Sequence, residues 1–164
     1  MARYILSLAS PFASHRGFGT REVATVDCKD HKLVADIAVF AEGKVLMVRY
    51  ADTSRYDGQT GWFLPDDFLG HLEHPDRAAS RIARGQVGYA PRSPRLGFVE
   101  SFGNGAWHLI FHYRVDLNRK PRTRAGENIT AMEWFSLQKL PSPSEVAHHG
   151  WGRSTIARLL KERR

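Results

Sequence analysis

The sequence predicts an α/β sandwich, because strand-like and helix-like segments follow one another in the order strands, helix, strands, helix. Two apolar, β-branched runs between residues 33 and 50 are separated by Glu42-Gly43, which predicts a hairpin. Apolar residues recur at helical spacing between Pro75 and Gly88. Residues 107–117 alternate between an apolar face and a mixed face, which predicts a long strand.

Three segments before the helix contribute to the predicted sheet. Leu33 to Ala41 and Lys44 to Tyr50 are the two arms of the hairpin. Residues 52–60 are polar, so we expect a loop there. Trp62-Phe63-Leu64 is expected to form a short strand that ends at Pro65.

The predicted helix carries signals for both of its ends. Pro75 suits the first helical turn, where a missing backbone N–H does no harm. Asp76 suits the positive end of the helix dipole. Gly88 can adopt the left-handed conformation that commonly ends a helix. The helix is therefore expected to begin near Pro75 and to end just before Gly88.

The second half of the chain is expected to contain one more strand pair, a last single strand and a helix. Leu96 to Phe102 is expected to pair with residues 107–117 across a Gly-Asn-Gly turn. Ile129 to Phe135 is expected to be the last strand. The segment from Gly150 to Arg164 is expected to contain a terminal helix capped by Ser154.

Length and composition indicate one globular domain. The 164 residues suffice for a single core, which we place in residues 31–164, after an irregular leader at residues 1–30. No apolar run approaches the roughly 18 residues that a membrane span needs, so we expect no membrane association. The lone Cys28 excludes an internal disulfide and fits a reducing compartment, so we expect a cytoplasmic protein.

The chain is basic, with a formal net charge of +7. This charge suits polyanionic ligands such as nucleotides. Part of the excess is local, in the loop at residues 119–124 and at the end of the chain, where a solvated loop and tail are the favoured interpretation. Nucleic acid is the less favoured partner, because no nucleic-acid-binding motif accompanies the charge.

The segment from Leu64 to Tyr89 resembles the box motif of the Nudix hydrolase superfamily. That motif is a glycine, five residues, a glutamate, seven residues and then Arg-Glu-U-x-Glu-Glu-x-Gly-U, in which U is apolar. Glu73, Arg81 and Gly88 fall on matching positions. The three helix glutamates are replaced by Ile82, Gly85 and Gln86, and the first glycine is replaced by Asp67.

The resemblance extends over about residues 33–141 and implies the Nudix fold, a mixed β-sheet between helices. It also implies that Glu73 and Arg81 form an internal ion pair and that Gly88 supplies the turn out of the helix. In the intact motif three glutamates on one helix face hold magnesium, which neutralises a pyrophosphate and activates water. Ile82, Gly85 and Gln86 offer no carboxylate, so we expect no metal, no cofactor and no ordinary Mg-dependent hydrolysis.

A rebuilt metal site is the alternative. It would use Mg or Mn to cleave a nucleoside diphosphate linked to another moiety. Its candidate ligands or catalytic groups are the acidic and histidine residues in and near the box, together with a carboxylate before the last strand: Asp66, Asp67, His71, Glu73, His74, Asp76 and Glu127. For Asp66-Asp67 the favoured interpretation is a polar surface turn.

The preferred interpretation is a non-hydrolytic binder of a nucleotide or another phosphorylated small molecule. Its weakly indicated ligand-binding residues are cationic: Arg49, Arg55, His108, His112 and Arg114. For the two histidines on the strand, solvent exposure is the favoured alternative. His148-His149-Gly150-Trp151 is a candidate source of a base or a stacking ring, although a loop leading into the last helix is favoured. A protein partner and a homodimer stay open.

Overall fold

The computed structural model describes residues 31–103 and 106–162. The chain forms six strands and two helices, with a short 3-10 turn at Ser54–Tyr56. In chain order they are β1 (His31–Ala41), β2 (Lys44–Tyr50), β3 (Asp66–Phe68), α1 (Pro75–Val87), β4 (Arg95–Gly103), β5 (Trp107–Leu117), β6 (Ile129–Ser136) and α2 (Ala147–Lys161). The predicted leader at residues 1–30 lies outside the described residues.

The strands form one mixed sheet in the order β4-β5-β1-β2-β6, and β3 pairs with β1 beside this path. Strands β1 and β5 run parallel over their full lengths, from His31 opposite Trp107 to Ala41 opposite Leu117. All other named pairs are antiparallel. The predicted α/β sandwich with a mixed sheet is confirmed.

Each face of the sheet packs against one helix, because successive strand residues point to opposite faces. The first core lies between the sheet and α1 and contains Ile37, Val39 and Ile82. The second core contains Phe40 and, from α2, Ile156 and Leu159. None of the helices among the described residues combines the length and apolarity needed to cross a membrane.

The prediction of a strand at Trp62-Phe63-Leu64 is wrong. Trp62 and Phe63 form only isolated bridges, to Val146 and Val48. The strand lies after Pro65 instead, at Asp66–Phe68. The reason is that β2 pairs with β1 only near the hairpin turn, which leaves the edge of β1 at Val34–Asp36 available to β3.

The prediction that Ser154 caps the last helix is also wrong. The hydroxyl of Ser154 donates to the carbonyl of Trp151, inside the helix. The helix is preceded by Val146 without a side-chain cap. Three successive residues, His148, His149 and Gly150, have left-handed backbone conformations, with φ of 51°, 56° and 89°. The regular part of α2 therefore starts at Trp151.

Candidate functional site

A cavity of about 220 Å³ opens beside the sheet, between β1, β3, β5 and the start of α2. Its position follows from strand alternation, since Lys32 and Val34 of β1 share one face with His108 and Ile110 of the parallel strand β5. The lining residues are Lys32, Val34, Arg55, Tyr56, Asp57, Asp66, Asp67, Phe68, Phe102, His108, Ile110, His148 and Trp151.

Four aromatic side chains contribute to the cavity wall. Tyr56 comes from the 3-10 turn, Phe68 from β3, Phe102 from β4 and Trp151 from α2. Phe102 is fixed by stacking on His108, with 4.9 Å between ring centroids. Tyr56 stacks on Tyr50 at 4.0 Å, and burial raises the pKa of Tyr56 to about 12. Such a wall can sandwich a planar apolar or heteroaromatic group.

Ion pairs surround the mouth of the cavity. The ammonium of Lys32 lies 2.6 Å from a carboxylate oxygen of Asp57, and this contact lowers the pKa of Asp57. Arg55 lies 2.9 Å from Asp67 and is more than half exposed. Burial lowers the pKa of His148, although Asp57 opposes this shift. The imidazole of His148 is therefore a neutral hydrogen-bonding group at neutral pH.

Asp66 lies half-buried at the inner side of the cavity. The hydroxyl of Tyr50 lies 2.9 Å from its carboxylate and accepts a hydrogen bond from its backbone N–H at 3.0 Å. Burial raises the pKa of the Asp66 carboxyl well above its usual value, and the nearby carboxylates of Asp36 and Asp67 add to this shift. The prediction of a polar surface turn at Asp66-Asp67 is wrong, because both residues belong to β3 and pair with β1.

The three helix positions that correspond to the motif's glutamates have separate surroundings. Ile82 is almost fully buried in the core under α1. Gly85 has open space where a side chain would begin. Gln86 is engaged on both sides of its amide: it accepts from the hydroxyl of Tyr50 at 2.8 Å and donates to the carbonyl of Asp66 at 2.6 Å. These side chains do not provide the carboxylate ligands that magnesium prefers.

Arg81 binds two of the candidate replacement ligands. Its guanidinium binds both carboxylate oxygens of Glu73 at 2.9 Å and one of Asp67 at 2.9 Å, and it donates to the carbonyl of Phe68. The backbone N–H of Gly70 also donates to Glu73, at 2.8 Å. The ion pair implied by the resemblance is thus present. The contact with Arg81, helped by Gly70, lowers the pKa of Glu73.

The other candidate ligands do not converge on the cavity. His74 caps α1 by accepting the N–H of Asp76 at 3.2 Å, and Asp76 accepts the hydroxyl of Tyr113. His71 and Glu127 are exposed and do not line the cavity. Within residues 31–103 and 106–162, no group of three or more His, Cys, Asp or Glu side chains could hold a metal ion. The residues that are present therefore do not fit the magnesium site of the motif.

Two of the five predicted ligand-binding residues line the cavity, namely Arg55 and His108. Arg49 lies outside it and covers the ring of Trp62, 4.6 Å from the centroid. Arg114 is 2% exposed at the far end of β5, where it pairs with Asp116 and donates to the carbonyl of Leu159. Its burial removes it from ligand contact.

His112 does not line the cavity and is fully buried, so its predicted exposure is wrong. His108, at 8% exposed, is also less accessible than predicted. The reason for the burial of His112 is a hydrogen bond between its Nδ1 and a carboxylate oxygen of Asp36 at 2.8 Å. Burial raises the pKa of Asp36, while the contact with His112 opposes this rise. The pair lies directly behind the cavity wall.

Sequence reasoning singled out six of the residues that line the cavity, but it missed the others, among them Lys32 and Phe68; the six are Arg55, Asp66, Asp67, His108, His148 and Trp151. Lys32 and Phe68 carry no motif that marks them. Their role depends on β1 pairing with β5 on one side and β3 on the other, which brings together residues as distant as Lys32 and His108. The loop interpretation for His148 is compatible with its site position, because the left-handed turn before α2 directs the segment to the cavity.

A profile of the NUDIX domain family matches residues 30–159. The chain belongs to the NUDIX domain family. A search of curated protein sequences found no match. This family assignment agrees with the fold, with the box segment on α1 and with the ion pair between Glu73 and Arg81.

Solved structures of NUDIX proteins have the same fold. The MutT protein from Methanosarcina mazei Go1 aligns with a TM-score of 0.65 and 16% identity, covering 82% of this chain and 96% of that one. The MutT NUDIX hydrolase from Burkholderia pseudomallei gives 0.62 and 22%, covering 80% and 98%. The NUDIX domain of Shewanella oneidensis NrtR, crystallised with ADP ribose, gives 0.64 and 15%, covering 80% and 90%.

The exposed glycine in the box helix gives a direct test of the site geometry. Gly85→Ala is expected to stabilise the protein by about 0.5–1 kcal/mol, because alanine is the better helix former and the added methyl group meets no atom within 4 Å. Urea denaturation followed by circular dichroism measures the change. A loss of stability would mean that the segment covering position 85 lies closer than the structure places it.

The contacts of Arg81 predict that the stability of the protein depends on the shape of the guanidinium group. Arg81→Lys keeps the charge but loses the two-pronged guanidinium that binds both oxygens of Glu73. The free energy of unfolding is therefore expected to fall by about 1 kcal/mol at neutral pH. Because the folded pKa of Glu73 is lowered, this contribution is present above the unfolded pKa. It is lost as the pH falls through the folded pKa. Equal unfolding free energies of both proteins at neutral pH would contradict the assignment.

Proposed function

We propose that this NUDIX protein binds a nucleotide or nucleoside-diphosphate derivative in the described cavity without a divalent metal and does not hydrolyse it. The observation that carries the proposal is that the carboxylates around the cavity are either bound by cations or have a raised pKa. Asp57 and Asp67 are each paired with a cation, and Glu73 is held by Arg81. The pKa of Asp66 is raised, so its negative charge is disfavoured.

Charge balance supports a metal-free site. A catalytic divalent cation requires several hard anionic ligands that are free to coordinate it. Here Asp67 is shared by two guanidinium groups, with Arg55 on one oxygen and Arg81 on the other, both at 2.9 Å. The two arginines are balanced by two carboxylates, Asp67 and Glu73, so neither carboxylate is free to coordinate a cation.

The layout of the cavity supports a ligand with a ring at one end and an anion at the other. The inner wall is aromatic and suits a nucleobase or similar ring. Arg55 at the mouth is mobile enough to exchange Asp67 for a phosphate, because more than half of its side chain is exposed. His108 and His148 line the same opening and can donate or accept hydrogen bonds there.

The relatives give precedent for this class of ligand. The NrtR NUDIX domain was crystallised with ADP ribose, and the MutT protein from Burkholderia pseudomallei is described as a hydrolase. Their identities to this chain are 15% and 22%, so they share its fold, and the ligand class is carried over here only as part of the proposal.

The alternative is a divergent hydrolase with a rebuilt metal site. It would require Asp67 to leave Arg55 and Arg81, and Glu73 to leave Arg81 and the N–H of Gly70. Four charge-assisted contacts would have to break before these two carboxylates could bind a cation. This cost makes the metal-free interpretation the better supported one.

Calorimetric titration with ADP-ribose and the common nucleoside diphosphates, in EDTA and then in excess magnesium, tests the proposal. We expect saturable binding of at least one nucleotide with the same affinity in both buffers and no phosphate release. Arg55→Ala should weaken it about tenfold, as expected for one lost charge-assisted contact. Arg95→Ala is the matched control, since Arg95 lies on β4 near Asp116 and outside the cavity. Binding that requires magnesium, or turnover, would overturn the proposal.

A further inference from the structure

A chain of polar side chains lies behind the cavity and crosses three neighbouring strands. Asp36 of β1 binds Nδ1 of His112 of β5 at 2.8 Å. The other ring nitrogen of His112 lies 3.3 Å from a carboxylate oxygen of Glu100, on β4. The same oxygen of Glu100 accepts the indole N–H of Trp151 at 3.1 Å. The chain therefore connects a buried aspartate to an aromatic residue of the cavity wall.

Trp151 separates two spaces. On one side it lines the cavity, and on the other it lines a surface groove together with Glu100 and Arg158. It is the first regular helical residue after the left-handed turn at 148–150. Its ring is contacted by His112 and His148, with 5.2 Å and 6.4 Å between ring centroids, and its indole N–H donates to Glu100.

Glu100 fixes the indole N–H of Trp151. Among the described residues, Glu100 is the hydrogen-bond partner of the indole N–H, and a bond to a carboxylate is about twice as strong as one between neutral groups. Nε2 of His112 lies 3.3 Å from this carboxylate but makes no hydrogen bond among the described residues, while Arg158 approaches the other oxygen at 3.7 Å. His112 is itself held by Asp36 and by stacking on Phe98 at 4.2 Å.

We propose that Trp151 is a ligand-contacting wall of the cavity and that Glu100 is the positioning residue that sets the orientation of its indole. This rests on the proposed function, in that the cavity is the ligand site. With the indole fixed, the cavity is closed toward the groove and presents a rigid stacking face. Without Glu100 the indole N–H loses its acceptor and the ring keeps its contacts with His112 and His148, so a bound ring meets a less firmly held stacking face.

Fluorine NMR on protein labelled with fluorotryptophan tests the positioning without any ligand. The chain has four tryptophans, and the resonance that disappears in Trp151→Phe identifies Trp151. Glu100→Ala is expected to shift and broaden this resonance. Glu100→Gln is expected to restore it, because the amide oxygen still accepts the indole N–H. Should Glu100→Ala fail to fold, Glu100→Asp replaces it, and its shorter side chain is expected to displace the resonance in the same way.

Ser101→Ala is the matched control on the neighbouring residue. The hydroxyl of Ser101 accepts the indole N–H of Trp107 at 2.9 Å, on the other face of the sheet. This variant should therefore move the Trp107 resonance and leave that of Trp151 in place. A Trp151 resonance that Glu100→Ala does not change, or that Glu100→Gln changes equally, would overturn the proposal.

ADP-ribose titration gives the second arm. Glu100→Ala is expected to weaken binding about tenfold and Glu100→Gln less than threefold, since one charged hydrogen bond positions the ring. Equal affinity of Glu100→Ala and the unchanged protein for ADP-ribose would overturn the wall assignment. If the unchanged protein binds no nucleotide, the proposed function fails and the wall assignment fails with it, while the fluorine spectra still decide the positioning role of Glu100.

Discussion

His112→Ala is expected to lower the free energy of unfolding by about 3–5 kcal/mol, because it leaves the buried carboxyl of Asp36 without its hydrogen-bond partner. The side chains of Asp36 and His112 are at most 1% exposed, so bulk water has no direct access to the space that the imidazole would leave. The pKa of Asp36 is already raised by burial, and the loss of its partner raises it further.

The stability of the His112→Ala variant is also expected to depend on pH. An aspartate with a raised folded pKa destabilises the folded state at neutral pH, and the penalty disappears as the pH falls and the carboxyl is protonated. The stability difference between His112→Ala and the unchanged protein should therefore shrink toward acid pH. Urea denaturation at several pH values measures it.

A second histidine on the same strand provides the control. His108 is 8% exposed, and its ring nitrogen lies 3.2 Å from the carbonyl of Ala106 rather than against a buried carboxylate of the described residues. His108→Ala should cost clearly less than His112→Ala. Replacing the pair together, as Asp36→Val with His112→Leu, should recover most of the stability. A single His112→Ala variant as stable as His108→Ala would contradict the buried pair.

Gly126→Ala is expected to destabilise the protein by about 1–3 kcal/mol, within the range for overpacking. A methyl group at this position would overlap the carbonyl oxygen of Gly85 and lie 3.1 Å from the Cα of Gln86. The N–H of Gly126 also donates to the carbonyl of Gln86 at 2.9 Å, near the end of α1. The substitution would push this loop away from the helix and disturb Gln86.

Thermal unfolding of Gly126→Ala, measured beside Gly85→Ala, isolates this effect. The two glycines are neighbours in space, yet the methyl group meets backbone atoms at one position and open space at the other. Opposite signs of the change in melting temperature are expected. A Gly126→Ala protein as stable as the unchanged one would show that the loop does not lie against α1.

The parts of the fold that sequence reasoning predicted are those with local causes. The hairpin of β1 and β2 follows from two apolar runs around Glu42-Gly43, and α1 follows from its periodicity and from the end signals at Pro75 and Gly88. Gly88 has φ of 67°, the left-handed value that such a helix end requires. In each case the determining residues are neighbours in the chain.

The parts that sequence reasoning missed depend on distant partners. Asp66–Phe68 forms a strand because the edge of β1 is available, and no local property of Asp66 signals this. His112 is buried because Asp36, 76 residues away, compensates it. Arg114 is buried because the carbonyl of Leu159 and Asp116 receive its guanidinium. Polar residues on a strand predict exposure until such partners are known.

Calorimetric titration of the purified protein with magnesium and manganese tests whether the site has lost its affinity for a divalent metal, and the result does not depend on the identity of the ligand. We expect no saturable heat of metal binding, because the nearby carboxylates of Asp67 and Glu73 are engaged by Arg55 and Arg81. Micromolar binding of either metal that is abolished by Asp67→Ala or Glu73→Ala would contradict it and would establish a rebuilt metal site.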